Sequence, residues 1–125
     1  MPWTPRVYCT LAALSGLVSV AAGAFAAHGL AAADARELMR TGSTYQMAHA
    51  LATLACAVPD RKARPGGIAA SLFLAGSLLF PGSLYALALG APRAVGIVTP
   101  FGGLSFMAGW AALAWSWMGK VPAGA

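Results

Sequence analysis

The chain has 125 residues, 59% of them hydrophobic and only 9% charged, with 15 glycines besides. Soluble domains carry about 25% charged residues, and a chain this short buries only about two-thirds of its unfolded surface, so a soluble globular fold and disorder are both excluded. The net charge of +5 reflects scarce acids and scattered loop arginines, with no aromatic-interleaved basic patch, so nucleic acid is not an expected partner.

Charges divide the sequence into uncharged stretches that run from Val7 to Ala33, Thr41 to Pro59, Pro65 to Pro92 and Ala94 to Gly119. A membrane-spanning helix needs about 20 apolar residues. The spacing therefore predicts an all-α polytopic membrane protein, a four-helix transmembrane bundle with short loops. Its spans lie at about 7–28, 43–58, 67–90 and 99–118, within a single integral membrane domain over residues 1–125.

The first span opens on a basic residue and passes through "AGAFAA", which mimics a signal peptide with a small-residue cleavage site. Its uncharged run is longer than such a segment needs, and its loss would leave three helices, so it is expected to stay. Ala12, Ser15, Ser19, Gly23 and Ala26 share one face of it, with Leu11, Leu14, Val18 and Phe25 elsewhere. In lipid the packed face is the small or polar one. Cys9 here and Cys56 in the second span have no CxxC spacing and read as small apolar residues.

Between the first two spans, Asp34 and Glu37 form a weak capping pattern, and Gly42 offers a stop before Ser43 or Thr44 restarts a helix. A short interfacial helix over 35–40 is expected, with Leu38 and Met39 toward lipid. On the second span, Gln46, His49 and Thr53 recur on one face, opposite Met47, Leu51, Leu54 and Val58, and Tyr45 lies one turn before His49. "PDRKARPGG" then forms a turn bounded by Pro59 and Pro65.

The third span contains Pro81-Gly82-Ser83, which frees backbone groups and is expected to kink the helix. The loop "GAPRAVG" is short, and tight loops force neighbouring spans antiparallel. On the fourth span, Gly102, Ser105, Gly109, Ala112 and Ser116 keep 3,4 spacing, a stripe that lets a neighbouring backbone approach closely. Counting Lys and Arg beside the spans favours both termini on the cytoplasmic side. Arg6, Arg61, Lys62, Arg64 and Lys120 then lie inside, and Arg36, Arg40 and Arg93 outside. Trp3, Tyr8, Trp115 and Trp117 would form an inner aromatic belt.

"GAFAAHGL" (23–30), "YQMAHALATL" (45–54), "FPGSLYALAL" (80–89) and "TPFGGLSFMAGW" (99–110) resemble the YgdD-like family, with one motif per helix in the expected order over nearly the whole chain. The sequence departs from the family pattern at Ala26, where Gly is usual. It departs again at Ala48, where an aromatic is usual, and at Pro81, where a small polar residue is usual. The resemblance implies a small four-helix protein of the bacterial inner membrane, with mitochondrial relatives and no assigned reaction.

On this topology His28, Tyr45, Gln46, His49, Ser83, Tyr85 and Thr99 all fall in the outward half of the membrane. Intramembrane polar groups suggest function by default, yet interhelical hydrogen bonds are also widely used as glue. Both readings stay open: a ligand-binding set made of those residues, or a structural one. Sharper chemistry lacks parts. No span holds Asp or Glu for a proton relay, and two histidines fall short of a zinc site. His28 and His49 differ in depth, which disfavours bis-His haem, and a Ser83–His49 pair lacks an orienting carboxylate. No catalytic residue, metal or cofactor is assigned. The expected role is a non-enzymatic structural or accessory membrane component, or else a lipid or small-molecule carrier. Its partners would be the bilayer and a second copy or a larger membrane complex. Close packing is expected at Ser15, Ser19 and Gly23 on the first span and at Gly102, Ser105, Gly109 and Ala112 on the fourth.

Overall fold

The computed structural model describes residues 4–57 and 66–118. The expected turn at 59–67 therefore lies mostly outside the described residues, as do Trp3, Arg61, Lys62, Arg64 and Lys120. Four helices follow in order: α1 (Pro5–His28), α2 (Ala33–Ala55), α3 (Gly67–Ala88) and α4 (Val98–Trp117). Among the described residues three segments are long and apolar enough to cross a membrane: α1, α3, and α4 together with the 3-10 turn Arg93–Ile97 that leads into it. α2 is as long as its neighbours, but Asp34, Arg36, Glu37 and Arg40 in its first two turns lower its hydropathy.

The separate interfacial helix at 35–40 and the stop at Gly42 are not found. α2 runs unbroken from Ala33 through Gly42 to Ala55. The reason lies on α3. A Cβ at Gly42 would sit 2.6 Å from the Tyr85 ring, so this glycine serves close approach and not termination. Ser43 caps nothing either, because its hydroxyl donates to the Ser19 carbonyl of α1 at 2.7 Å. Asp34 lies inside the first turn of α2 and makes no capping hydrogen bond. Part of the third loop also differs from expectation, since Arg93–Ile97 coils as a 3-10 helix directly into α4. α3 is not terminated at Pro81, which is buried.

Consecutive helices pair along their lengths, α1 with α2, α2 with α3 and α3 with α4, while α1 touches α3 only sparingly. The buried residues are mostly small. Ala12, Ser19 and Ala26 face inward on α1, whereas Leu11, Leu14, Leu17, Val18, Val20 and Phe25 stay exposed. This inverts the rule for water-soluble helices because lipid solvates Leu as well as a protein core does. The aromatic core gathers Tyr8, Phe73 and Phe106 with Ala52, Ala69 and Ala70. Tyr8 also ties α1 to α3 through a 2.7 Å hydrogen bond with the Ser71 hydroxyl.

α3 and α4 interlock through aromatic rings seated on glycines. The Phe73 ring covers Gly109, Phe106 covers Gly76, and the Phe80 backbone lies against Gly102. Ser83 bonds Thr99 one step further along. The antiparallel register is constant through all four pairs. Ser105 adds a hydrogen bond to the Leu72 carbonyl at 2.7 Å.

Candidate functional site

The buried candidate side chains fall into three separate groups, each joining different helices. The first centres on Gln46, which is 6% exposed. Its amide nitrogen donates to Ser15 Oγ of α1 at 3.0 Å, and its amide oxygen accepts from the Tyr85 hydroxyl of α3 at 2.6 Å. One side chain thus holds three helices. Gln46→Leu leaves both partners without their bond, and stability is expected to fall by about 1–2 kcal/mol in detergent unfolding. Adding Tyr85→Phe is expected to recover part of that loss, because the orphaned phenol disappears with it.

The second group centres on His49, buried at 5% exposure. Its Nε2 lies 3.0 Å from Trp110 Nε1 of α4 and its Nδ1 2.7 Å from the Tyr45 carbonyl. An indole N–H only donates, so His49 Nε2 must accept. Nδ1 then carries the proton and donates to Tyr45. Geometry fixes a neutral imidazole with a defined tautomer. Its ring lies flat on Phe106, with centroids 3.5 Å apart and planes 10° from parallel, and Trp110 meets Phe73 edge-on at 5.0 Å. Ser83 and Tyr85, the partners that depth alone suggests for His49, are engaged elsewhere. Tyr85 belongs to Gln46, and Ser83 pairs with Thr99 as the third group.

The remaining sequence candidates are peripheral. Tyr45 is half-exposed and packs on Phe80 with centroids 4.8 Å apart. His28 is exposed in the last turn of α1. Hence the seven candidate ligand residues do not line one pocket. Both cysteines carry free thiols. Among the described residues no three His, Cys, Asp or Glu side chains converge. Every buried side-chain polar atom among the described residues also has a hydrogen-bond partner.

The stripe residues lie at helix contacts. Ser15 and Ser19 meet α2, and a Cβ on Gly23 would be 3.0 Å from Ser43 Oγ. Gly102, Ser105 and Gly109 meet α3, and Ala112 packs beside the aromatic core. Sequence reasoning missed Trp110, Phe106 and Phe73. The available signal was Trp110 itself, because an indole N–H inside an apolar span demands an acceptor.

The family model described as protein of unknown function (DUF423) matches residues 22–103, from the end of α1 into α4. The chain belongs to this family. A UPF0382 membrane protein of Haemophilus influenzae is 47% identical over 112 residues, covering 86% of this chain and 90% of that protein. The UPF0382 inner membrane protein YgdD of Escherichia coli K12 is 47% identical over 113 residues, covering 86% of each. The UPF0382 membrane protein YwdK of Bacillus subtilis is 35% identical over 111 residues, covering 84% of this chain and 90% of YwdK. No solved structure matches. The DUF423 match spans every residue of the Gln46 and Ser83 groups except Ser15, whereas Trp110 lies beyond it. The chain is thus a small membrane protein whose relatives are named for location and not for a reaction.

Proposed function

We propose that this DUF423 protein is a non-enzymatic structural or accessory component of the bacterial inner membrane. The observation that carries the reading is the closed hydrogen-bond account: among the described residues every buried side-chain polar atom has a partner, either a side chain on another helix or a backbone carbonyl. His49 has both nitrogens engaged, and Gln46 has both ends engaged. α2 is read as the fourth span. Its polar residues bond α1 and α3, and its charged first two turns emerge at the outer surface. Both termini then lie in the cytoplasm, in line with the Lys and Arg distribution. A second copy or a larger complex covers the exposed α1 and α4 faces in this reading.

The test is complementation of a strain lacking its own copy, scored as competitive fitness with variants at Gln46, His49, Ser83 and Thr99. Fitness is expected to follow the amount of folded protein across the series. A His49→Gln variant of normal abundance and no function would overturn the reading. For topology, reporters fused after Lys120 or inserted at 60–65 are expected on the cytoplasmic side, and an external signal from either site would reverse the orientation.

A further inference from the structure

α1 and α3 both pack on α2 and run parallel, tied at one end by Tyr8 and Ser71 but otherwise touching little. Beyond that tie they enclose a groove of about 360 Å³. Its walls are Leu11, Leu14 and Val18 of α1 and Leu74, Leu78 and Gly82 of α3, and Gln46 of α2 is among the residues that close it. The α3 wall from Leu74 to Tyr85 rises about 16 Å at 1.5 Å per residue. That is about half of a hydrocarbon core roughly 30 Å thick, and the wall runs from the Arg6 half of the bundle across its middle. The groove is open toward the bilayer and lined mainly by apolar side chains. A single hydrocarbon chain is the slim apolar occupant that the bilayer supplies.

The end of the groove nearest the Tyr8–Ser71 tie carries charge. A second hollow, lined by Arg6, Val7, Thr10 and Leu11, shares Leu11 with it. Arg6 is exposed and has no ion pair among the described residues. The described acids, Asp34 and Glu37, lie in the first turns of α2, which runs antiparallel to α1, and so at the far end of the bundle. From Leu11 back to Arg6 is about 7.5 Å along the axis, which brings the guanidinium toward the headgroup layer. We infer that the α1–α3 groove is a binding site for one anionic phospholipid, with an acyl chain between Leu14 and Leu78 and the phosphate on Arg6. This goes beyond the structural role proposed above, which stands or falls separately.

Gly82 provides the probe. It lines the groove, and a Cβ built there meets nothing within 4 Å, so Gly82→Leu fills the groove without disturbing a helix contact. The full-length protein is reconstituted in vesicles of equal phosphatidylglycerol and phosphatidylcholine, extracted in mild detergent, and its retained lipid counted by native mass spectrometry. Wild type is expected to keep one lipid per chain, with phosphatidylglycerol favoured about fivefold, the value of one interfacial cation. Arg6→Gln is expected to lose the preference, and Gly82→Leu to lose the lipid at an unchanged or higher melting temperature. Equal retention by wild type and Gly82→Leu, or no retention by wild type, overturns the proposal. So does a wild-type dimer that Gly82→Leu abolishes, which assigns the groove to a second copy. Independently of any variant, phosphatidylglycerol with a photoreactive acyl chain is expected to label Leu14, Leu74 and Leu78. Labelling confined to Leu104 and Met107 on the exposed face of α4 contradicts the site.

Discussion

Gly102→Ala is expected to be among the most damaging single-methyl changes in this protein, while Gly103→Ala, one residue on, is expected to be nearly silent. A Cβ at Gly102 runs into the Phe80 backbone, with the Phe80 Cα at 2.7 Å, and backbone has no rotamer by which to move aside. The same methyl at Gly103 meets a ring atom of Phe80 at 4.0 Å, an ordinary contact. Overpacking typically costs about 1–3 kcal/mol and more where nothing relaxes. The Gly102 loss should sit near the top, about 3 kcal/mol, because α3 and α4 must part along the register that also seats Phe73 on Gly109 and Phe106 on Gly76. Gly103→Ala should stay within about 0.5 kcal/mol. Reversible unfolding in detergent measures both. Equal effects would mean that the α3–α4 interlock is not the close contact described.

His49→Ala is expected to cost about 3 kcal/mol, and Trp110→Phe only about 1 kcal/mol. The hydrogen bond is the smaller part of the His49 contribution, because interhelical bonds in membranes average about 0.6 kcal/mol. The larger part is the imidazole ring, held between Phe106 and the Phe73–Trp110 pair. Aromatic contacts of this kind add about 0.5–1.5 kcal/mol each beyond area, and deleting the ring opens a cavity. Trp110→Phe keeps a ring against Phe73 and loses only the donor. A double-mutant cycle between the two positions is expected to return a coupling of about 1 kcal/mol. Coupling near zero would remove the α2–α4 bond from the account.

Four helices were legible because charge is costly in a bilayer, so the uncharged stretches of the sequence coincide largely with the helices, although α2 begins at Ala33 and carries Asp34, Arg36, Glu37 and Arg40 in its first turns. The 3,4-spaced small residues of α1 and α4 were legible for the same reason of solvent. The continuity of α2 was not, because Gly42 carries one identity for two uses. Helix stop and close approach differ only in whether a ring from elsewhere, here Tyr85 on α3, lies above the glycine. The partner of His49 was hidden similarly. Depth along a span follows from residue number, and depth suggests Ser83 and Tyr85. Direction around the helix depends on how α4 docks, and that direction selects Trp110. The α1–α3 groove is further still from sequence, since it arises from the spacing of two helices that hardly touch.

That the buried polar groups are satisfied within the bundle is tested most directly at the His49 ring. The full-length protein bearing His28→Gln, with its one remaining histidine labelled with nitrogen-15, is reconstituted in phospholipid bilayers for solid-state magnetic resonance at neutral pH. The expected spectrum shows a neutral ring protonated at Nδ1, with Nε2 accepting from an indole N–H and the acceptor signal shifting in Trp110→Phe. An imidazolium, a proton on Nε2, or an Nε2 signal indifferent to Trp110 would contradict a closed polar core and leave His49 free to act on something else.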